Sequence, residues 1–445
     1  MLRLFIIVVE PVVLISLQFH FKRYLHLLRR TLRSLRAKGW RATWQRIMLT
    51  GARTPDHRDR AAPREAPPST ADWGSQPWIL VVDVAVPEPD RDSGSLRICN
   101  LMQALVSAGY RVAFVPDEGG TASAHAARLR ASGIHVPLLH GSNDAPAWLR
   151  AHRRSLTSAI LCRHHAAGHW LPLIRAVAPR ASIVFDTVDL HFLREMREAR
   201  LHGDRRLRRH AESTRQRELG LVDRANTTWV VSPIERDLLL QARPDADVRI
   251  VSNIIDEDTP GQPFEQRRDL LFVGGLAHPP NRDATEWMAR EIFPLIRAEL
   301  PEVQLNLVGS TGASQVAMLP AESGIRVHGH VPDIAPFLDG CRLALAPLRF
   351  GAGVKGKVNL SMAHGQPVVA TSCATEGMHL QPGLDVLVAD NAEAFAAEVV
   401  RLYQDPVLWQ RLSDQGRANV RRHFSPEIAV ATAKASLELP WTPRP

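Results

Sequence analysis

The chain has 445 residues, too many for one ordinary core, so two domains with additions are expected. Its 45% hydrophobic and 23% charged residues are those of a globular protein, and a formal charge of +9 suits an acidic partner: nucleic acid, an anionic membrane or a phosphorylated substrate. Four scattered cysteines (Cys99, Cys162, Cys341, Cys373) with no C-x-x-C exclude a disulfide framework and read as free buried thiols of a reducing cytosol.

Residues 4–19, LFIIVVEPVVLISLQF, are apolar but interrupted by Glu10 and Pro11, and fall short of the about 20 residues of a spanning helix. They lack the small-residue cleavage site of a secretory signal. Residues 22–46 carry nine Lys or Arg and no acid, with Leu25, Leu28, Leu32 and Leu35 at helical spacing. This is a basic amphipathic helix, suited either to an anionic membrane or a partner protein, or to packing on the body of the protein as an ordinary solvated helix. Residues 1–50 are therefore an extension and 51–76, rich in Pro, Ala, Arg and Asp, a flexible linker.

A first domain is expected over 77–258. The apolar run WILVVDVAV (78–86), broken only by Asp83, reads as a strand buried on both faces. A helix carrying Leu96, Ile98, Leu101 and Leu105 follows, then strands at RVAFV, SAILC, SIVFD and TTWVV. Strands alternating with helices make a parallel open sheet, whose ligands bind beyond the carboxyl ends of the strands. That rule selects Asp92-Ser93-Gly94-Ser95 after the first strand and Asp186–His191 after SIVFD. Asp189 and His191 can share a proton or orient a substrate hydroxyl, while Asp189 can also cap a helix. His164 and His165 are expected to line the cleft. His165 and His169 stand four apart without a third ligand, so no metal is expected. One charged helix is expected from about 190 to 219, mostly a solvated face. Its Glu195, Glu198, Asp204, Glu212 and Glu218 argue against nucleic acid.

A second domain, 259–432, restarts the alternation at DLLFVGG, ending in Gly274 and Gly275, with a tail over 433–445. Val251 to Phe264 is the natural hinge. Its densest stretch packs Arg349, Gly351, Gly353, Lys355, Gly356 and Lys357 into nine residues between a strand and a helix. Glycines admit close approach, and the helix start presents free N–H groups, so this is a seat for phosphate or diphosphate. Gly351 to Lys357 spells G-x-x-x-x-G-K, but Val358 stands where a P-loop needs Ser or Thr. A basic surface loop with turn glycines is the plainer alternative.

Three segments, Asp92 to Arg97, Asp186 to His191 and Phe272 to Asn281, together with GAGVKGK…MAHGQPVVAT…EG, resemble the family 4 retaining glycosyltransferases of GT-B fold (glycosyl transferases group 1), in the bacterial surface-polysaccharide branch. The resemblance covers about 78–430. It implies an α/β architecture of two doubly wound Rossmann-like domains facing across a cleft. It implies transfer from a nucleotide-diphosphate sugar to a saccharide or lipid-linked acceptor, with no metal or other cofactor. The chain is expected in the cytoplasm, with residues 1–50 attaching it to the inner face of the cell membrane without crossing it. The resemblance assigns His191, Asp189, Arg349 and Lys357 to the chemistry. Gly94, Ser95, Gly274, Gly275, Gly353, Gly356, Glu376 and Gly377 would bind the donor. In many relatives a similar basic stretch joins this module to an upstream transferase. The family's two glutamates fall on Ala352 and Leu360, so a non-catalytic sugar-nucleotide binder stays open, as does a sugar-nucleotide epimerase.

Overall fold

The computed structural model describes residues 76–141, 144–256, 260–312 and 324–437. The extension over 1–50 and nearly all of the 51–76 linker lie outside the described residues, and so does the end of the tail.

The first domain is a sheet of six parallel strands: β1 (Trp78–Asp83), β2 (Val112–Pro116), β3 (Leu156–Cys162), β4 (Ser182–Asp186), β5 (Thr227–Val230) and β6 (Val248–Ile250). Their spatial order is β2-β1-β3-β4-β5-β6. Seven helices connect them: α1 (Ser93–Ser107), α2 (Ala124–Ala131), α3 (Asp144–His152), α4 (His164–Val177), α5 (His191–Leu201), α6 (Arg205–Val222) and α7 (Pro233–Ala242). Successive side chains of β1 point to opposite faces. Ile79 and Val81 pack with Ile98, Leu101 and Leu105 of α1, whereas Leu80 and Val82 join the core containing Trp170 and Ile174 of α4. Burial on both faces is why β1 has no polar alternation.

The single helix expected over 190–219 is two. Gly203 turns into the left-handed region at φ 64°, and Asp204 accepts from the amides of Arg206 and Leu207 to start α6. Nor is this segment solvated throughout: Glu218 is fully buried.

The second sheet holds β7 (Arg268–Val273), β8 (Leu305–Val308), β9 (Ile325–Gly329), β10 (Cys341–Ala346), β11 (Val368–Ala370) and β12 (Leu387–Val388), in the order β12-β11-β10-β7-β8-β9. Its helices include α8 (Pro279–Trp287), α9 (Phe293–Glu299), α10 (Ala335–Gly340), α11 (Gly356–Ala363), α12 (Ser372–Thr375), α13 (Ala392–Gln404) and α14 (Pro406–His423). These are two Rossmann-like sheets. The order of strands reverses between β1 and β3 in one, and between β7 and β10 in the other.

The final helix, α15 (Pro426–Leu437), returns to the first domain, although 426–432 were expected in the second and 433–437 in a tail. Ala429, Ala433 and Leu437 enter the α1 core, and Trp229 Nε1 donates to Ser436 Oγ at 3.0 Å. Two chain crossings thus run side by side, joined where Ile255 N donates to the Phe424 carbonyl at 2.8 Å. The outgoing crossing is held by α1: Arg97 donates to the carbonyls of Val251 and Ser252, and Asn100 to that of Ile254.

Candidate functional site

Ligands of doubly wound sheets sit where strand order reverses. In the first domain that place lies beyond β1 and β3. Asp92 caps α1, accepting the Ser95 amide at 2.8 Å and the Ser95 hydroxyl at 2.7 Å. Ser95, expected at the donor, is therefore buried in the cap. A Cβ on Gly94 would meet Arg163 Nη2 at 2.5 Å, so a guanidinium already occupies the space above this glycine. Arg163 is left-handed at φ 60° and pairs with Asp83. Arg97 is buried against Asp186 at 2.7 Å, which makes it a structural member of its motif.

Beyond β4 the chain turns through Val188 at φ 62°. A β-branched residue there costs about 1–3 kcal/mol, a strain typical of functional turns. The turn delivers Asp189 and His191 together, with His191 Nε2 3.2 Å from Asp189 Oδ1. Asp189 also pairs with Arg194. Burial pushes the Asp189 carboxyl up, but Arg194, His191 and Arg163 outweigh it and hold the group well below the usual carboxylate range. Two buried glutamates fix this segment. Glu235 accepts from the Leu190 amide, and Glu218 accepts from those of His191 and Phe192, at 3.0–3.1 Å. Burial raises both carboxyls to about 7. Neither had been singled out for a site role. A capping box, Ser232-x-x-Glu235, is the signal that points to Glu235; the Ser232 hydroxyl does accept the Glu235 amide. Glu218 carries no comparable signal in the chain.

In the second domain the reversal lies beyond β7 and β10. Gly274 backs onto Asn281, which a Cβ would meet at 2.7 Å, whereas Gly275 has only ordinary contacts. Lys357, on the first turn of α11, donates to Asn281 Oδ1 at 2.6 Å and sits 4.3 Å from the Phe272 ring centre. Among the described residues no carboxylate pairs with it. The residue is half-buried, and desolvation, followed by repulsion from Lys355, lowers its ammonium to about 7. Such a cation gains most from an arriving anion.

The other cations of the stretch are committed. Arg349 makes two bonds to Asp283, at 2.9 and 2.5 Å, with Trp287 beneath it. Lys355 folds back onto the carbonyls of Ala352 and Gly353. Glu376 pairs across the cleft with Arg197 at 2.9 Å, and Arg197 also donates to the Gly351 carbonyl. At the place of the family's second glutamate, Leu360 packs on the hydrophobic core.

Three glycines expected at a ligand instead touch the first domain. A Cβ on Gly353 would lie 3.0 Å from Asp189 Cβ, one on Gly356 2.6 Å from Ser93 Cβ, and one on Gly377 2.5 Å from Ser232 Cβ. The contact of Gly356 with Ser93 has an electrostatic consequence. Each is the first residue of its helix, so the positive ends of α1 and α11 meet beside Lys357.

His164, His165 and His191 form a cluster that could hold a metal ion, with ring nitrogens all within 4.8 Å. Tetrahedral zinc needs ring nitrogens about 3.4 Å apart. Here the His164 and His165 rings are tilted by 35° with centroids 3.8 Å apart, and His191 meets His164 edge-on at 4.8 Å. His169 stands elsewhere, bonded to Asp117 at 2.9 Å.

The architecture matches solved structures over nearly their full length. The Anabaena protein Alr3699/HepE, crystallised with UDP and glucose, aligns over 81% of this chain and 99% of its own, with a TM-score of 0.60 and 15% identity. Sucrose-phosphate synthase from Thermosynechococcus elongatus aligns over 81% and 98%, at 0.59 and 16%. The protein has the GT-B fold. Residues 267–405 match the model of the family described as "Glycosyl transferases group 1", a stretch that contains Lys357, Arg349 and Glu376. A Klebsiella pneumoniae protein, an uncharacterized 44.6 kDa product of a cps region, is 25% identical over 140 residues, 30% of this chain. The match spans 36% of that relative, and 59% of S. aureus TarM, a further GT-B match at TM-score 0.55 and 13% identity over 67% of this chain.

Proposed function

We propose that this protein transfers a sugar from a nucleotide-diphosphate donor to a saccharide or lipid-linked acceptor in bacterial surface-polysaccharide synthesis. The observation that carries the reading is the meeting of two helix starts beside Lys357, a cation with no carboxylate partner in the described chain. That arrangement wants a divalent anion, and a diphosphate meets the need. The family match and the GT-B fold give the anion its chemistry, and the cps-region relative supports the polymer.

In this reading the donor diphosphate lies at the α1–α11 junction. Lys357 neutralises it as the bond to the anomeric carbon breaks, where charge develops. These groups do the work that a divalent metal does elsewhere, so the reaction is metal-independent. Asp189 keeps His191 oriented towards the sugar or the acceptor hydroxyl, and its own low proton affinity keeps it ionised. Glu376 is available to sugar or ribose hydroxyls once Arg197 releases it. Transfer proceeds with retention, as the resemblance to family 4 implies. The test is turnover of a panel of nucleotide-diphosphate sugars by the full chain in EDTA, with the product anomer read by NMR. Transfer with retention supports the proposal; dependence on added magnesium or manganese contradicts it.

A further inference from the structure

We propose that Glu235 is a positioning residue that ties the two halves of the site together. Glu235 lies in the first turn of α7 and is buried. Its Oε1 accepts two amides at 3.0 Å: that of Leu190, between Asp189 and His191, and that of Gly353, in the loop leading to Lys357. Its Oε2 accepts the Val231 amide at 3.3 Å. One oxygen therefore joins a segment of the first domain to a loop of the second. Among the described residues no basic side chain pairs with this carboxylate, so its three contacts are all to backbone.

The surroundings single out the same turn. Gly353 and Gly377, both left-handed at φ 69° and 72°, close on Asp189 and on Ser232, the cap of α7. Two loops of the second domain thus grip either side of one helix start. Arg197 and Asn253 take the Gly351 and Val354 carbonyls nearby, but Glu235 alone of the three also holds the Asp189–His191 segment. When the domains part, the Gly353 bond breaks and the donor loop loses its register with His191. The clasp makes reaction geometry conditional on closure, which keeps water from the donor.

This inference rests on the transferase reading, and its test separates the two. Hydrogen–deuterium exchange of the full chain, without donor, reports the bonds themselves. In Glu235→Ala, peptides covering 188–193 and 351–356 should exchange faster together, and turnover should fall by about 10- to 100-fold, as expected for misplaced reacting groups. Glu235→Gln should keep most of both, because its carbonyl oxygen can fill the Oε1 position. Glu235→Asp, one methylene short, should behave like Ala; it serves if the Ala variant does not fold. Unchanged exchange at 351–356 in Ala and Asp overturns the clasp. Faster exchange with undiminished turnover overturns the positioning role. A Gln variant as inactive as Ala, yet still protected, also overturns it, since the negative charge would then be what acts. If no variant, wild type included, turns over any donor, the exchange result still stands and the transferase reading fails separately.

Discussion

At the scale of single residues, Lys357 distinguishes itself by what it lacks. Arg349 has Asp283, Lys355 has its own loop, and Arg197 has Glu376, but Lys357 has an amide oxygen and an aromatic face. Lys357→Ala should leave the fold intact and remove about 2–4 kcal/mol of transition-state stabilisation, seen as a 30- to 1,000-fold loss of kcat/KM. Arg349→Ala should cost less, because Arg349 must leave Asp283 to reach a diphosphate. The lowered Lys357 pKa of about 7 adds a pH signature. Below that pH the ammonium is charged and ready. Above it, donor binding must take up a proton, so donor affinity should weaken by up to about tenfold per pH unit. Calorimetry at pH 8 in buffers of different ionisation enthalpy should register that uptake.

At the scale of elements, the start of α5 is set by Glu218 from the adjacent α6. Because Glu218 titrates near 7 when folded and near 4.3 when unfolded, the native state binds more protons between those values. Its contribution is therefore most favourable at low pH and is lost as pH rises through about 7. Glu218→Gln removes the titration. Thermal melts should show the variant gaining on wild type from pH 5 to pH 8, and a constant difference would contradict the assignment. Strand positions were legible in the chain because burial on both faces leaves unbroken apolar runs. So were Asp189 and His191, because a strand end followed by a helix start is visible as pattern. The roles of Glu218 and Glu235 were not. Their carboxylates are aimed at backbone amides distant in sequence, and burial turns residues that read as surface charge into core.

At the scale of the whole molecule, the domains meet through close approaches that only glycine allows. The glycine-rich stretch reads in sequence as space for a ligand; the fold shows Gly353, Gly356 and Gly377 making space for the other domain. Gly377→Ala places a methyl group against Ser232 and should hold the cleft open. Small-angle scattering of the full chain should show a larger radius of gyration, and steady-state kinetics a raised donor KM; an unchanged radius would contradict the expectation. The central claim is that nucleotide-diphosphate sugar binds where α1, α11 and Lys357 converge. The direct measurement is thermal stability of the full chain and of Lys357→Ala, in EDTA, against a panel of nucleotide-diphosphate sugars. At 100 times its dissociation constant a bound donor stabilises by about 2.7 kcal/mol. At least one should raise the melting temperature of wild type and do so far less in the variant. An equal rise in both, or none from any donor, would contradict the claim.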